Sequence, residues 1–333
     1  MTILKTGSSG PLVSFLQLTL KDLRLYTSEI DGLFGPNTLK AVKTFQTNNK
    51  LVSDGIVGDN TWQALLKHMS VPTTIPYTYD ILILNIQSFM IKYNFLSFGT
   101  IGESVMDKDI PYIKFGNGPK QLLCIAGTHA NEWICCPLLM KFVEEYAIAY
   151  ARGGKVFDRF AKDIFNTATI YIIPMLNPDG VDLNLQFPAM WEQAKKIKFS
   201  QGYTTYAPRD FVGNFPLETP EAVALYDFTM EHTFELMLTY HSQGEVIYWK
   251  FLDYNPPNAF EIGKTFESLS GYPLQDTPYN SSFAGFKDWF IQTYNLPGYT
   301  MEVGRGTNPL PTSQFDTIYK DNIGILVSTP FLI

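Results

Sequence analysis

Three short apolar segments each lead to a side chain with acid, base or metal-binding chemistry, and this pattern constrains the fold most. The segments are typical of buried strands, and they comprise residues 121–127, 234–240 and 298–301. The side chains that follow them are His129, His241 and Glu302. In open α/β sheets, ligands and catalytic groups collect at the carboxyl ends of the strands. The sequence therefore predicts that these three side chains converge on one crevice.

The spacing of His129 and Glu132 indicates a metal site, because two ligands three residues apart can grip one ion. The chain has only four histidines, at positions 68, 129, 232 and 241. The first fits the last turn of a helix and the third a solvated helix face. A catalytic zinc takes three protein ligands and leaves a position for water. We therefore predict one Zn²⁺ held by His129, Glu132 and His241, with Glu302 as general base and acid. The simpler alternative is an exposed helix contact between His129 and Glu132.

Strand patterns alternate with helical patterns through most of the chain, as at 137–149 and 219–234. Such alternation favours an α/β fold with helices on both faces of a mixed sheet. We predict a mixed eight-stranded sheet flanked by helices over residues 80–333. A division of this segment into two lobes has no shift of composition in its favour.

The N-terminal segment contains an internal repeat. Residues 31–38 (DGLFGPNT) are echoed by residues 54–61 (DGIVGDNT), and each copy leads into a helix with apolar spacing. A further amphipathic helix is predicted at 13–20. The sequence thus predicts a small three-helix domain at 1–69, a stiff linker with two prolines at 70–79, and the larger domain at 80–333.

Both segments resemble known families. Residues 80–333 resemble the zinc metallocarboxypeptidases, in the His-x-x-Glu pair, the distant His, the late Glu, an Asn-Pro-Asp-Gly turn at 177–180, Asp-Leu-Asn at 182–184 and Lys-Asp-Trp at 287–289. The resemblance implies a carboxypeptidase-like fold. Residues 4–67 resemble the peptidoglycan-binding domain of cell-wall hydrolases, in Leu-Gln at 16–17, Phe-Gln at 45–46 and both Asp-Gly turns.

Two departures from the carboxypeptidase pattern concern the substrate. Digestive members carry Arg between the first His and Glu, and Asn-Arg in the later element, whereas this chain has Asn131 and Asn184-Leu185. A neutral amide replaces a bidentate guanidinium clamp poorly. The segments 182–192 and 207–210 instead resemble the bacterial γ-D-glutamyl-diaminopimelate peptidases, which cut inside the stem peptide of peptidoglycan. Asn131 and Asn184 are therefore candidate substrate-binding residues.

Three further residues are candidates for the catalytic site. Only one residue separates the Asn-Pro-Asp-Gly turn from Asp182, so a longer loop that carries an oxyanion-stabilising Arg in relatives is missing. Arg209 or Arg305 is a candidate for that role, and the alternative for each is a surface Arg. Tyr279 is the candidate for a hydroxyl that folds over the substrate, and simple packing is its alternative.

Charge and hydropathy limit the partners. A formal net charge of -7 disfavours nucleic acid and anionic membranes, and no apolar run is long enough to cross a bilayer. The expected partners are peptidoglycan and its stem peptides, and the expected state is a monomer. Met1 leads directly into the binding module without a secretion signal, so we expect synthesis in the bacterial cytoplasm. Action on the wall would follow lysis or occur within a sporulating mother cell.

These observations predict a zinc peptidoglycan hydrolase that cleaves the γ-D-glutamyl-diaminopimelate bond. Two alternatives stay open at this point. One is a zinc carboxypeptidase that trims stem peptides, and the other is a wall-binding protein whose catalytic domain is degenerate.

Overall fold

The computed structural model describes residues 1–180, 183–205 and 210–333, and the chain divides into two compact units, Met1–Phe95 and Leu96–Ile333. Within the described residues, no helix combines the length and the apolar character that crossing a bilayer requires.

The first unit is helical. Its helices are α1 (Pro11–Asp22), α2 (Pro36–Asn48), α3 (Asp59–Leu66) and α4 (Tyr79–Lys92). The first three confirm the predicted helical domain. Proline at the start of α1 and α2 favours helix initiation, since its missing N–H would have no partner there.

The sequence repeat is also a structural repeat, built around two buried glutamines. Gln17 Nε2 lies 2.7 Å from Asp31 Oδ1, 3.0 Å from the Leu33 carbonyl and 3.0 Å from Thr38 Oγ1, while its Oε1 accepts from the Gly32 N–H. Gln17 thus ties α1 to the turn before α2.

The second copy repeats these contacts with equivalent partners. Gln46 Nε2 contacts Asp54 Oδ1, the Ile56 carbonyl and Thr61 Oγ1, and its Oε1 accepts from the Gly55 N–H. Each aspartate also accepts from the backbone N–H two residues further on. The Asp-Gly turns and the two glutamines therefore form one recurring hydrogen-bonded unit.

The predicted linker packs within the first unit. Val71, Ile75 and Tyr77 are buried, and the Tyr77 hydroxyl lies 2.9 Å from Asn85 Oδ1 of α4. Helix α4 belongs to the same compact unit. The assignment of residues 80–95 to the larger domain stays a prediction.

The second unit is an α/β domain. Its strands are β1 (Ser97–Glu103), β2 (Asp109–Phe115), β3 (Lys120–Ala126), β4 (Lys155–Val156), β5 (Arg159–Phe160), β6 (Ala168–Ile173), β7 (Phe234–His241), β8 (Val246–Tyr248), β9 (Leu274–Gln275) and β10 (Gly298–Glu302). Its helices are α5 (Cys135–Ala151), α6 (Ala161–Thr167), α7 (Trp191–Ser200), α8 (Pro220–Met230), α9 (Ala259–Ser270), α10 (Phe286–Tyr294) and α11 (Phe315–Ser328).

Eight strands form one sheet in the order β1-β2-β6-β3-β7-β10-β8-β9, and β4 pairs with β5 separately. The neighbours β6, β3, β7 and β10 run parallel, and so do β8 and β9. The pairs β1–β2, β2–β6 and β10–β8 are antiparallel, so the predicted mixed eight-stranded sheet is confirmed. The central strands are buried on both faces, which explains their continuous apolar runs.

Helices cover both faces of this sheet. Leu123 and Ile125 of β3 lie in a core that includes side chains of α7, α8 and α10. Helix α11 packs against both α9 and α5, and α5 contacts β3. The carboxyl ends of β3, β7 and β10 lie side by side, because β7 separates β3 from β10. The topology therefore places His129, His241 and Glu302 at one edge of the sheet.

Candidate metal centre and active site

The turn after β3 brings His129 and Glu132 to the same side. Gly127 has φ +68°, and a β-carbon there would lie 3.0 Å from Cys136 Sγ and 3.2 Å from Met175 Cα, so glycine fits this position best. Ala130–Glu132 forms a single 3-10 turn that begins after His129. As a result, His129 Nδ1 lies 2.9 Å from Glu132 Oε1.

His241, the last residue of β7, completes the cluster. Its Nδ1 lies 3.0 Å from Glu132 Oε2 and 3.3 Å from His129 Nδ1. Ligand atoms of His129, Glu132 and His241 all lie within 4.8 Å of one another. The sequence-predicted triad is thus brought together, and its two imidazoles and one carboxylate match the ligands that zinc prefers.

The charge state of Glu132 suits a metal ligand. Burial alone would raise its pKa, but His241 and His129 hold the pKa of this carboxyl at about 2. Ser242 N–H also donates to Glu132 Oε2 at 3.3 Å. Glu132 is therefore ionised at neutral pH, as a carboxylate ligand must be. One imidazole nitrogen lies beside each oxygen of this carboxylate. Together these atoms can coordinate a divalent cation.

Glu302 lies beside the triad because of strand register. The parallel pairing of β7 and β10 sets Glu302 opposite His241. On its other side, β8 runs antiparallel and sets Tyr248 opposite Thr300. Burial raises the pKa of Tyr248, and the nearby Glu302 carboxylate raises it further. The phenol of Tyr248 is thus a neutral neighbour of Glu302 at neutral pH.

A cavity of about 530 Å³ opens over these strand ends, and we call it the strand-end cavity. It is lined by the triad and Glu302 together with Asn131, Asn184, Tyr248, Lys287, Asp288 and Asn308 among others. Asn131 and Asn184, the two positions that depart from the carboxypeptidase pattern, both face it. Their roles as substrate-binding residues stay predictions.

Three other predicted site residues lie elsewhere or outside the described chain. Arg305 is exposed, its Nε lies 2.5 Å from Glu245 Oε2, and it does not line the strand-end cavity. Tyr279 is 59% exposed with its ring against Phe283, while its neighbours Pro278 and Ser281 line the cavity. Arg209 lies outside the described residues.

Asn308 and Ser242 are residues that the sequence reasoning did not single out. Asn308 Nδ2 donates to the Ser242 carbonyl at 2.6 Å and approaches Glu132 Oε1 at 3.5 Å, and the Ser242 hydroxyl donates to Asn308 Oδ1 at 2.8 Å. These contacts link the loops after β7 and β10 to the carboxylate of the triad. Their positions in the sequence could have indicated a role at the site, since each lies within a few residues of a strand end.

The buried ion pair of Lys287 and Asp288 was also missed as a site feature. Lys287 Nζ lies 2.6 Å from Asp288 Oδ1, both side chains are almost fully buried, and both line the strand-end cavity. The sequence does contain a signal for this pair, because two adjacent charged residues lie within the apolar pattern of α10 and buried charges are rare.

Comparison with known proteins gives two family matches. Residues 86–324 match the sequence profile of the zinc carboxypeptidases, and residues 9–65 match that of a peptidoglycan binding domain.

Individual proteins agree with these matches. The chain is 36% identical over 294 residues to gamma-D-glutamyl-L-diamino acid endopeptidase 1 of Lysinibacillus sphaericus, over 77% of this chain and 72% of that protein. A spore cortex-lytic enzyme of Bacillus cereus is 40% identical over 65 residues, which is 20% of this chain and 25% of that enzyme. The crystal structure of thrombin activatable fibrinolysis inhibitor has a TM-score of 0.65 at 16% identity, over 78% of this chain and 77% of that one, and shows the same fold.

Proposed function

The chain belongs to the zinc carboxypeptidase family, and we propose that it is a peptidoglycan hydrolase that cleaves the γ-D-glutamyl-diaminopimelate bond of stem peptides. One observation carries the proposal: His129, Glu132, His241 and Glu302 meet at one cavity in a chain that also matches a peptidoglycan binding domain. The similarity to an endopeptidase named for that bond supports the choice of substrate.

The triad supplies the ligands for one zinc ion. When bound, zinc acts as a Lewis acid that makes a water molecule more acidic and the scissile carbonyl more electrophilic. Glu132 contributes the negative charge of the site, and the two histidines contribute neutral nitrogens. Ser242 and Asn308 hold the carboxylate of Glu132 in place, which is how second-layer contacts orient a ligand.

Glu302 has the position of the general base. Its place beside His241 puts its carboxylate at the metal site, where it takes a proton from the attacking water. The same group then carries that proton to the nitrogen of the leaving diaminopimelate residue. Tyr248 is a neutral hydroxyl beside this carboxylate and is available to donate a hydrogen bond to it or to substrate.

The strand-end cavity offers few cationic side chains to stabilise the oxyanion that forms on the scissile carbonyl. Among the described residues that line it, Lys287 is the only Lys or Arg, and Asn131 and Asn184 offer neutral amides. Zinc, these amides and Arg209 are the candidates for stabilising the developing charge. Arg305 would have to leave Glu245 to reach the site.

The helical unit binds peptidoglycan independently of the peptidase active site. A wall-binding module raises the effective concentration of the catalytic domain on peptidoglycan without any new contact at the active site. We place the protein at the bacterial cell wall, in a sporulating mother cell or after lysis.

Mass spectrometry of defined stem peptides tests the proposal. Zinc-loaded protein should release a fragment that ends in D-glutamate and one that begins with diaminopimelate, and Glu302→Gln should release neither. Loss of a single terminal amino acid would instead establish a carboxypeptidase. No cleavage, with retained binding to insoluble wall, would establish a degenerate wall-binding protein.

A further inference from the structure

The helical unit carries positive charge although the chain as a whole is acidic. Residues 1–95 contain eight Lys or Arg and six Asp or Glu, whereas residues 96–333 contain 17 and 26. These counts give a net charge of +2 for the helical unit and -9 for the rest of the chain. Such asymmetry between two parts of one chain indicates that they meet different partners. The helical unit is the part that electrostatic attraction draws to an anionic polymer.

Two of its cations lie in a groove on α2, which we call the α2 groove. It has a volume of about 510 Å³ and is lined by residues of α2 and by Ser53, just before the second Asp-Gly turn. Lys40 and Lys43 line it, and both side chains are exposed. Residues three apart on a helix have β-carbons about 5–6 Å from each other. The two ammonium groups can therefore reach the same ligand.

The first copy of the repeat shows that the fold does not require these lysines. A β-carbon at Gly32 would lie 2.8 Å from Ser14 Oγ, and one at Gly55 would lie 3.1 Å from Lys43 Cε. The turn glycine of each copy thus packs against the equivalent position of the preceding helix, which is serine in one copy and lysine in the other. The position three residues earlier is proline in the first copy and lysine in the second. The same turn forms over both sequences, so the lysines are free to serve another role.

The two lysines have no counter-charge of their own. Among the described residues, neither ammonium makes an ion pair. Asp54 lies near Lys43, but its carboxylate accepts from the Ile56 N–H at 2.8 Å and from Gln46 Nε2 at 2.9 Å. Together with Lys43, these two donors lower the pKa of Asp54, whose charge stabilises the turn. Like charges one turn apart on a helix repel each other, so an anionic ligand in the α2 groove would relieve this repulsion.

The other polar groups of the α2 groove leave recognition to the lysines. The hydroxyls of Thr44, Thr47 and Ser53 already donate to backbone carbonyls of α2. The donors that remain for a ligand are the two ammonium groups and the amide of Asn48. An ammonium has three donors and no acceptor, which suits a carboxylate. None of the described residues that line the groove is aromatic, so no ring is available to stack on a sugar.

Building on the proposed function, we infer that the α2 groove binds the carboxylates of stem peptides through Lys40 and Lys43. The sugars of peptidoglycan present hydroxyls and amides, whereas its stem peptides carry the carboxylates of D-glutamate and diaminopimelate. Charge-assisted hydrogen bonds to these groups are the strong contacts that an ammonium can make. The helical unit therefore recognises the same part of the polymer that the catalytic unit cleaves.

Binding to insoluble cell wall tests this inference. The full chain carries Glu302→Gln, so that the wall is not digested, and the walls are first freed of phosphate-containing polymers. Lys40→Gln with Lys43→Gln should weaken binding in a sedimentation assay about 5- to 30-fold, as expected for two exposed charge pairs. The matched control is Lys21→Gln with Lys67→Gln, which removes the same charge from exposed positions outside the groove. At physiological salt it should change binding less than about twofold.

Chemical conversion of the stem carboxylates to neutral amides supplies the second half of the test. The parent protein and the control pair should bind amidated walls about 5- to 30-fold more weakly than untreated walls, and the groove variant should lose nothing further. Lys40→Arg with Lys43→Arg keeps both charges and should bind untreated walls as the parent does. Equal losses in the groove variant and the control pair would overturn the inference, because net charge alone would then explain binding.

Two other results would also overturn it. Undiminished binding of the parent to amidated walls would assign the α2 groove to the sugars. A lysine-dependent loss seen only on walls that keep their phosphate-containing polymers would assign the groove to those polymers.

Cleavage and wall binding fail independently in this design. If the zinc-loaded wild-type protein cleaves no stem peptide, the proposed function is wrong, but binding that depends on both the lysines and the carboxylates would still support the assignment of the α2 groove. Cleavage of soluble stem peptides without such binding would leave the proposed reaction intact and overturn this inference alone.

Discussion

Gln17→Met should lower the local stability of the first unit, because the Gln17 amide joins α1 to the Asp-Gly turn and to α2. The side chain is fully buried, and methionine has nearly the same shape without the amide. The change therefore removes hydrogen bonds without leaving a large cavity. It tests whether the repeated glutamine contacts, rather than apolar packing alone, stabilise the helical unit.

The magnitude follows from the partners of the amide. Its two hydrogens are shared among four acceptors within 3.1 Å, including the Tyr26 hydroxyl, and its oxygen accepts from Gly32 N–H. Asp31 is exposed, so water can replace the amide there, and we leave that contact out. The Tyr26 and Thr38 hydroxyls and the Leu33 carbonyl keep other partners, so each of these lost bonds costs about 0.5–1.5 kcal/mol at most. The Gly32 N–H loses its acceptor, at about 1–3 kcal/mol. We expect about 3 kcal/mol of local stability to be lost, since large costs come from such orphaned groups.

Hydrogen exchange with mass spectrometry of the full chain measures this locally. A loss of about 3 kcal/mol corresponds to roughly 100-fold faster exchange of amides in α1 and α2. Gln46→Met, the equivalent change in the second copy, should give a similar loss around α2 and α3. Gln63→Met on the exposed face of α3 should change exchange by less than about threefold. If Gln17→Met behaves like Gln63→Met, the hydrogen-bonding argument is wrong.

Three further predictions concern the strand-end cavity. Glu302→Gln should lower kcat by about 10²- to 10⁴-fold. Its zinc content, measured by elemental mass spectrometry, should stay at one ion per chain. A fall in zinc content would show that Glu302 is a metal ligand. His241→Ala should abolish zinc retention after dialysis, and His232→Ala should leave it intact, so equal zinc content in the two variants would contradict the assigned triad. Asn308→Ala should weaken zinc affinity in a chelator competition by about 10- to 100-fold, and an unchanged affinity would show that the Ser242 contact with Glu132 suffices.

The main elements of the site could be predicted from the sequence because they depend on local patterns. Scarce histidines and apolar runs located His129 and His241, and strand ends in one sheet meet at one edge. The pairing of Glu302 with His241 depends on strand register, which the sequence does not specify by itself.

Side-chain direction and contacts between distant residues could not be predicted from the sequence pattern. Arg305 follows β10 closely, yet its guanidinium pairs with Glu245 from the turn between β7 and β8. Asn308 and Ser242 are 66 residues apart and meet only because β7 and β10 are neighbours. Gln17 and Gln46 looked like ordinary members of a repeat, and only the folded chain shows that each amide closes a turn.

The distribution of charge in the strand-end cavity bears on the choice between internal and terminal cleavage. A carboxypeptidase must recognise a free chain end, and an arginine clamp does so by pairing with the terminal carboxylate. Here Asn131 and Asn184 face the cavity with neutral amides, and the cationic side chain that lines it among the described residues is Lys287, packed over Gly298. A cation over Gly298 can pair with a carboxylate on a substrate side chain while the peptide backbone continues past the scissile bond. This arrangement favours cleavage inside the stem peptide over removal of its last residue.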